Sequence, residues 1–311
     1  MLSRLSAVAR PGEGRTADYF DTLANLGAAD LSAARVAEAH LDAAAILHQA
    51  GEPTRSPDQT WGVFAAEARG MTLTATLVDD RWQLDGTKPW CSLAGLLSHA
   101  LVTAHVLRQD GEPGRRLFAV DLRQSGITVD DDAWAARGLS QITSGPVDFS
   151  AVAADAVGDE GWYLRRPGFA WGGIGVAAVW CGGAVGMART LYDDAQGGTP
   201  DQIALAHLGA VDAAVTAASL ALAAAATAID AGEADGPAGS LLAARVRAIV
   251  ARAVDEVIFH IGHALGPAPL ALDARHAQRV ADLQLYVRQH HAERDDAALG
   301  RMLVARGNAP W

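Results

Sequence analysis

The pattern of apolar and polar positions changes twice along the chain. Residues 30–49 carry apolar side chains at helical spacing and are followed by glycine and prolines, which predicts one helix that ends there. Between Trp61 and about Phe149, short runs of near-alternating residues predict strands. From Gly168 onward, long Ala, Leu and Val periodicity predicts helices alone. The expected order is therefore a short α segment, a β domain and an α bundle.

The middle region predicts several short strands and turns. We expect strands at residues 71–77, 82–84, 101–104, 117–120, 127–129 and 147–149, and a further strand that ends at Ser92. Asp79-Asp80 indicates a turn, Asp85-Gly86 a hairpin, and residues 109–116 a polar loop. Short strands separated by turns favour a β barrel or sandwich.

Four long helices are predicted in the last part of the chain. They cover about 169–194, 201–231, 239–264 and 273–305, with Gly- and Pro-rich breaks between them. Long helices joined by short loops are typical of an antiparallel four-helix bundle. We divide the chain into an N-terminal helical segment (1–60), a middle β domain (61–157) and a C-terminal bundle (158–311). The fold class is α+β.

Composition narrows the classes of partner. The 311 residues are 50% hydrophobic and 20% charged, with a formal net charge of −11. Nucleic acids and anionic membranes require a basic face, so we expect neither. Residues 1–14 lack the apolar stretch of a signal peptide, and Asp212 and Thr216 interrupt the Ala-rich run 210–231. We expect a cytoplasmic protein.

The two cysteines give neither metal-site spacing nor a disulfide framework. Cys91 falls inside a predicted strand, which favours a buried thiol.

Three motifs resemble those of the acyl-CoA dehydrogenase superfamily of flavoproteins. They are Leu-Asp-Gly-Thr-Lys-Pro-Trp-Cys-Ser at 84–92, Gly-Pro-Val-Asp-Phe at 145–149 and Ala-Asp-Leu-Gln-Leu-Tyr at 281–286. The order of domains is similar as well, although the N-terminal segment has room for only one or two helices. The resemblance implies an acyl-CoA dehydrogenase-like fold, an FAD cofactor and assembly as a homodimer or homotetramer, or with a related flavoprotein.

The resemblance also implies a flavin-binding set. Trp90 would pack on the flavin ring and Ser92 would hydrogen-bond near its reactive nitrogen, with Cys91 between them. Residues 63–68 resemble the segment whose backbone binds the pyrimidine side, which makes Phe64 and Ala66 candidates. Ala66 stands where the family has Thr, so only main-chain contacts remain there.

The adenine side of FAD is less well matched. Where the family has Arg-x-x-Phe-Gly, residues 195–200 contain neither Arg nor Phe. Where it has a Gly-Gly-x-Gly loop, residues 259–267 lack that pattern. The missing Arg removes a charge-assisted contact to phosphate. We expect FAD to bind more weakly, in another pose, or not at all.

Both places where the family carries its catalytic Glu lack a carboxylate. Residues 168–173 have none, and His290 stands at the C-terminal position. On the fourth predicted helix, Asp282, Tyr286, His290 and Glu293 recur at spacings of four, four and three residues and share one face. His290 is then a candidate base, or the histidine that flavin monooxygenases of this superfamily often have there, or part of a solvated helix end. Adjacent histidines diverge on a helix, so we expect no metal site at His290-His291.

Three functions remain open. The first is an acyl-CoA dehydrogenase-like oxidoreductase that acts on an acyl thioester or a related small metabolite. The second is a flavin-dependent monooxygenase on the same fold, favoured by His290 and the missing Glu. The third is a flavin-free structural or partner subunit.

Overall fold

The computed structural model describes residues 5, 8–52, 56, 58–107 and 113–309. The chain forms two compact units. The barrel unit contains Ala39–Ala136 and Ser140–Phe169, and the helical unit contains Val8–Glu38, Arg137–Leu139 and Ala170–Trp311.

Helices occupy both ends of the chain. They are α1 (Thr16–Ala29), α2 (Leu31–Gln49), α3 (Trp162–Arg165), α4 (Pro167–Gly197), α5 (Gln202–Asp230), α6 (Gly236–Leu265), α7 (Ala268–Leu272), α8 (Ala274–Tyr286) and α9 (Glu293–Ala305). The predicted helix at 30–49 is confirmed as α2, and the first three predicted bundle helices are confirmed as α4, α5 and α6. The Asp201 carboxylate accepts hydrogen bonds from two backbone amides of the first turn of α5, which fixes where that helix begins.

A seven-stranded sheet makes up most of the barrel unit. Its strands are β1 (Trp61–Phe64), β2 (Leu73–Val78), β3 (Arg81–Lys88), β4 (His99–Leu107), β5 (Pro113–Asp121), β6 (Ile127–Val129) and β7 (Val147–Val157). Pairing runs from β4 through β2, β3 and β7 to β5, and β5 pairs back with β4. This ring closes the sheet, so the predicted barrel is confirmed. β1 adds in parallel to β4, and β6 adds antiparallel to β7.

The turn predictions had different outcomes. Asp79 and Asp80, with φ of 47° and 60°, form the turn between β2 and β3 as expected. The hairpin expected at Asp85-Gly86 is wrong, because β3 runs through both residues. The register of β3 on β7 shifts between Leu84 and Gly86, so the Asp-Gly pair lies in an irregularity of the strand rather than in a turn.

The polar loop expected at 109–116 is shorter than predicted. β5 already begins at Pro113 and pairs with β4 along its whole length, so its polar start is strand. Residues 109–112 lie outside the described residues.

Two apolar clusters stabilise the barrel unit. The barrel interior is filled by alternate side chains of the strands, among them Phe64, Leu84, Val102, Phe118 and Phe149. A second cluster covers the outer face of β4 and β5, where Ile46 and Leu47 of α2 pack with Leu101 and Leu117. β4 is buried on both faces, which explains its nearly continuous apolar sequence.

The predicted single helix at 273–305 is wrong. α8 ends at Tyr286, a 3₁₀ turn covers Val287–Gln289, and α9 begins only at Glu293. The helical hydrogen-bond ladder cannot pass Ala292, whose φ is 47° and ψ is −116°. The bundle therefore has a broken fourth member.

Close contacts between helices shape the helical unit. Gly182 of α4 lies against the backbone of α1, where an added Cβ would meet the Ala24 carbonyl oxygen at 2.0 Å. A side chain there would separate the two helices, so the small residue is required by packing.

Two helices, α4 and α5, are long and apolar enough to cross a membrane by length and composition. The most apolar window of α4 is 67% buried inside the protein, whereas that of α5 is only 28% buried. α4 is thus a core helix, and α5 presents an apolar face.

Candidate functional site

An exposed tryptophan follows directly after β3. The strand was expected to continue to Ser92, but it ends at Lys88. Pro89 has no N–H to donate to a ladder, and Trp90 has φ of 60°, so the chain turns away from the sheet. The Trp90 side chain is 56% exposed. A large aromatic surface is therefore presented at the end of the strand.

Residues 143–145 hold this turn in place. The Cys91 N–H donates to the Gly145 carbonyl at 3.0 Å, and the Leu93 N–H donates to the Thr143 carbonyl at 2.7 Å. The Ser92 and Ser144 hydroxyls are 2.8 Å apart and hydrogen-bonded. Gly145 has no room for a side chain, since a Cβ would lie 1.8 Å from the Asp130 carbonyl oxygen. The position of Trp90 is thus set by backbone contacts.

The other flavin candidates differ in what they can offer. Phe64 is 1% exposed and its ring belongs to the barrel interior. Cys91 is 1% exposed, as expected for a buried thiol; its Sγ contacts the Lys88 carbonyl, and burial raises its pKa. Ala66 is exposed just beyond the end of β1. Trp90, Ser92 and the backbone at Ala66 remain as groups suited to a ligand.

A cluster of charged side chains that was not predicted from the sequence lies beside the Ala66 segment. The Glu67 carboxylate accepts hydrogen bonds from Lys88 at 2.8 Å and from His105 at 3.1 Å, and it pairs with Arg115 at 2.9 Å. Lys88 is 2% exposed and also donates to Thr103 at 3.0 Å. Arg115 donates to the Ala65 carbonyl. The cluster ties the segment after β1 to β3, β4 and β5.

The electrostatics of the cluster favour its charged form. Burial alone would raise the pKa of Glu67, but the hydrogen bonds from Lys88 and His105 lower it. Burial lowers the pKa of Lys88, and the carboxylate of Glu67 opposes that change. A Lys in the predicted strand and a Glu at the end of β1 were the available signals, but only the fold shows that they meet.

In the helical unit, His290 lies in the break between α8 and α9. It was expected on one helix face with Asp282, Tyr286 and Glu293, and that expectation is wrong because the helix ends at Tyr286. His290 is 7% exposed. Its Nδ1 accepts a hydrogen bond from the Ala292 N–H at 3.2 Å, and its buried Nε2 has no partner within the described residues.

His290 is neutral near neutral pH. Burial lowers its pKa, and the Asp295 carboxylate, whose oxygen is 3.9 Å from Nε2, only partly opposes this. The Nδ1 lone pair is used by the Ala292 N–H, so Nε2 is the ring nitrogen that can still bind a ligand.

Buried polar side chains close to α8 complete the site in this unit. The Tyr286 hydroxyl donates to the Glu38 carboxylate at 3.2 Å, and Arg35 pairs with the same carboxylate at 2.6 Å. Burial and the adjacent Glu38 raise the pKa of Tyr286, so the phenol keeps its proton. The guanidinium of Arg247 lies 4.7 Å from the centre of the Trp180 ring.

Arg247 connects three parts of the helical unit. From α6 it donates to the Gly173 carbonyl of α4 at 2.9 Å and to the Gln289 carbonyl of the 3₁₀ turn at 3.0 Å. Neither Glu38 nor Arg247 was predicted as a site residue, because ordinary helical spacing accounts for both. Arg247 holds the turn that precedes His290.

Metal chemistry has no support in the described part of the chain, where no group of three or more His, Cys, Asp or Glu side chains could hold a metal ion. His260 instead shares a hydrogen bond with His207, with the two Nδ1 atoms 2.9 Å apart.

The residues present suit the ring end of a flavin. An exposed tryptophan, an adjacent hydroxyl pair and an exposed backbone segment at Ala66 can support and hydrogen-bond a flat heterocycle. The adenine side is not matched: α6 continues as regular helix through Leu265, where the resemblance predicts a glycine-rich loop. The structure thus fits the flavin ring better than it fits a whole FAD.

A closed β barrel and a bundle of long helices are combined in this chain as in the acyl-CoA dehydrogenase-like fold, which the matching solved structures have. No family model and no curated protein matches the sequence. Solved structures do match. KijD3 in complex with FMN and dTDP-3-amino-2,3,6-trideoxy-4-keto-3-methyl-D-glucose is 20% identical, with a TM-score of 0.81 over 94% of this chain and 80% of that one.

Two further structures show the same similarity. FMN-bound TdsC from Paenibacillus sp. A11-2 is 18% identical, with a TM-score of 0.81 over 95% of this chain and 85% of that one. A nitrososynthase from Micromonospora carbonacea var. africana is 18% identical, with a TM-score of 0.80 over 97% and 86%. The chain shares the fold of these proteins.

Proposed function

We propose that the protein is a flavin-dependent monooxygenase that uses FMN. The observation that carries this proposal is the geometry of His290, which is buried, accepts a hydrogen bond at Nδ1 from the Ala292 N–H, and stands where the resemblance places the catalytic Glu of a dehydrogenase. Removing a proton next to a thioester carbonyl requires a positioned base. A neutral imidazole whose available nitrogen carries a proton is a donor instead.

The solved structures of similar fold support the same choice. TdsC is described as a dibenzothiophene monooxygenase and was solved with FMN. FMN also agrees with this chain's own residues, since the stretches expected to bind the adenine side of FAD have no suitable Arg or glycine-rich loop.

The barrel unit would bind the flavin ring. Trp90 offers the aromatic support, Ser92 a hydroxyl, and the backbone at Ala66 main-chain hydrogen bonds. The Glu67–Lys88–Arg115 cluster keeps that backbone segment in place, because Arg115 holds the Ala65 carbonyl. In a monooxygenase, reduced flavin supplies two electrons to O₂, one oxygen atom enters the substrate and the other leaves as water.

The helical unit would supply the hydrogen-bond donor. Arg247 fixes the turn before His290 through the Gln289 carbonyl, and the Ala292 amide fixes its ring. The Nε2–H of His290 can then donate a hydrogen bond to an oxygen atom of the substrate or product.

The decisive experiment compares two reactions with the same purified protein. Reduced FMN, ¹⁸O₂ and a panel of aromatic heterocycles headed by indole are incubated together, and products carrying one ¹⁸O atom are sought by mass spectrometry. Indole heads the panel because TdsC was solved with FMN and indole. We expect ¹⁸O-labelled product that requires reduced FMN.

The second reaction offers butyryl-CoA with an artificial electron acceptor. Formation of the enoyl-CoA without oxygen incorporation would contradict the monooxygenase and favour a dehydrogenase. Failure to take up either FMN or FAD would contradict both enzymes and favour a flavin-free subunit.

A further inference from the structure

The break between α8 and α9 brings one strained backbone amide against His290. Ala292 has φ of 47° and ψ of −116°, a combination that a residue with a Cβ adopts only at a cost in free energy. In that conformation its N–H donates to Nδ1 of His290 at 3.2 Å. The strain is thus linked directly to one nitrogen of the imidazole.

We propose that Ala292 is a positioning residue that fixes His290 with its proton on Nε2, so that His290 acts as a hydrogen-bond donor and not as a base. The role of His290 as a donor in the reaction rests on the proposed function. The tautomer of its ring is independent of that function.

The surroundings of His290 offer no competing explanation for Nδ1. The charged groups that face the ring are Asp295 and Asp296 of α9 and Arg247 and Arg252 of α6. The Asp295 carboxylate lies 3.9 Å from Nε2, which is too long for a hydrogen bond. Asp295 itself accepts from the His291 N–H at 3.1 Å. Among the residues that the structure describes, only the Ala292 amide is within hydrogen-bond distance of the ring.

The unpaired Nε2–H of His290 favours ligands that can accept a hydrogen bond. A buried N–H without an acceptor is destabilising, and that cost is removed when an acceptor binds. His290 Nε2 is buried and unpaired within the described residues. A carbonyl or oxyanion oxygen would satisfy it, whereas an ammonium group or an alkyl chain would not. The site is therefore suited to a substrate or product that bears such an oxygen.

The tautomer can be measured without turnover. Protein labelled with ¹⁵N-histidine is examined by imidazole ¹H–¹⁵N correlation at about pH 7.5, where a buried neutral histidine keeps one ring proton. The protein has ten histidines, so the His290→Gln spectrum identifies the signal that belongs to His290. We expect a protonated Nε2 and an unprotonated Nδ1. A protonated Nδ1 would overturn the proposal.

Three variants separate Ala292 from Asp295 as the cause. Ala292→Gly accepts φ of 47° without strain and keeps the N–H, so the tautomer should be unchanged. Ala292→Val cannot keep this conformation, so the amide should shift and the two tautomers should mix. Asp295→Asn removes the nearby charge and should leave the tautomer as it is. A change of tautomer in Asp295→Asn, or none in a folded Ala292→Val, would overturn the proposal.

The role as a donor is tested by paired substitutions of His290. The amide of His290→Gln can place an N–H near the position of Nε2, whereas the shorter side chain of His290→Asn cannot reach it. We expect kcat for oxygenation to be about tenfold higher in His290→Gln than in His290→Asn, equivalent to about 1.4 kcal/mol, the worth of one hydrogen bond. Equal loss in both variants would contradict the role of the ring as a hydrogen-bond donor. The spectra test the tautomer even if no oxygenation is found. A failure of this proposal can therefore be distinguished from a failure of the proposed function.

Discussion

At the residue scale, the charged cluster of the barrel unit shows how paired side chains hold a backbone segment in place. Lys88 is almost fully buried, yet its ammonium has two partners, Glu67 and Thr103. A buried cation is tolerated only when it is paired and hydrogen-bonded. Through Arg115 the same cluster fixes the backbone beside Ala66.

Replacing Lys88 should therefore destabilise the fold. In Lys88→Met the Glu67 carboxylate loses one hydrogen bond but keeps Arg115 and His105, so we expect a loss of about 2–3 kcal/mol in the free energy of unfolding. Chemical denaturation measures it. Arg81→Met, exposed in the same strand, is the control and should change stability by less than about 0.5 kcal/mol. Equal effects of the two substitutions would contradict the account.

His40 gives the protein a pH dependence. Its Nδ1 accepts from the Trp61 N–H at 3.3 Å, and burial lowers its pKa. Below the ordinary histidine pKa the unfolded chain binds the proton more readily than the folded protein does, so this contribution to stability is present above about pH 6.5 and is lost as the pH falls. The slope of unfolding free energy between about pH 7 and pH 5 should be shallower in His40→Gln. A slope as steep in His40→Gln as in wild type would contradict this account of His40.

Single residues of the candidate site were predictable to different degrees. Trp90 and Ser92 followed from a contiguous motif, because both lie in one short segment. Glu67, Lys88 and Arg115 were not predicted as a cluster, since the barrel has to close before they meet. The buried state of Phe64 follows from alternation in β1, which a motif alone does not show. The buried thiol of Cys91 was predicted, although the strand expected to contain it ends at Lys88.

At the element scale, close helix contacts depend on individual glycines. Gly182→Ala would place a Cβ 2.0 Å from the Ala24 carbonyl oxygen, so α1 and α4 would have to separate. We expect a loss of about 2–3 kcal/mol by chemical denaturation. Gly209 of α5 has no atom within 4 Å of an added Cβ. Gly209→Ala should instead stabilise the protein by up to about 1 kcal/mol, because alanine favours helix. The same sign for both substitutions would be evidence against the packing described.

Long periodic elements were predictable, and interruptions were not. α2, α4, α5 and α6 follow from apolar spacing over many residues. The break after Tyr286 carries neither glycine nor proline, and it depends on Ala292 adopting an unfavourable conformation that tertiary contacts sustain. At Asp85-Gly86 the sequence predicted a hairpin turn that is not there. The pair lies instead at an irregularity within β3.

At the scale of the whole molecule, α5 presents an apolar face. Leu205 and Leu220 lie on one side of the helix and are 52% and 65% exposed, and Asp212 is the only charged residue of the helix before Asp230. A helix of this length offers a face of roughly 400 Å², about half of what each partner of a stable dimer buries. Exposed Phe259 of α6 adds apolar surface.

We expect this face to pair with that of a second copy. Two such faces would bury few charges, whereas the net charge of −11 opposes an anionic membrane. Light scattering after gel filtration should show a homodimer or larger homo-oligomer, and Leu205→Glu with Leu220→Glu should give monomers. Leu77→Glu, equally exposed on β2, is the control. A monomeric wild type, or one that partitions onto liposomes, would contradict this expectation.

Flavin binding through Trp90 is the central claim, and one titration tests it most directly. FMN, oxidised and then reduced under anaerobic conditions, is added to wild type, Trp90→Ala and Leu96→Ala while flavin fluorescence is followed. Both side chains are exposed in the same turn, so neither substitution should affect folding. We predict that wild type and Leu96→Ala bind alike and that Trp90→Ala binds at least about tenfold more weakly, since stacking on an aromatic ring contributes about 1–3 kcal/mol. Equal affinity in all three proteins, or no binding by any of them, would contradict the account.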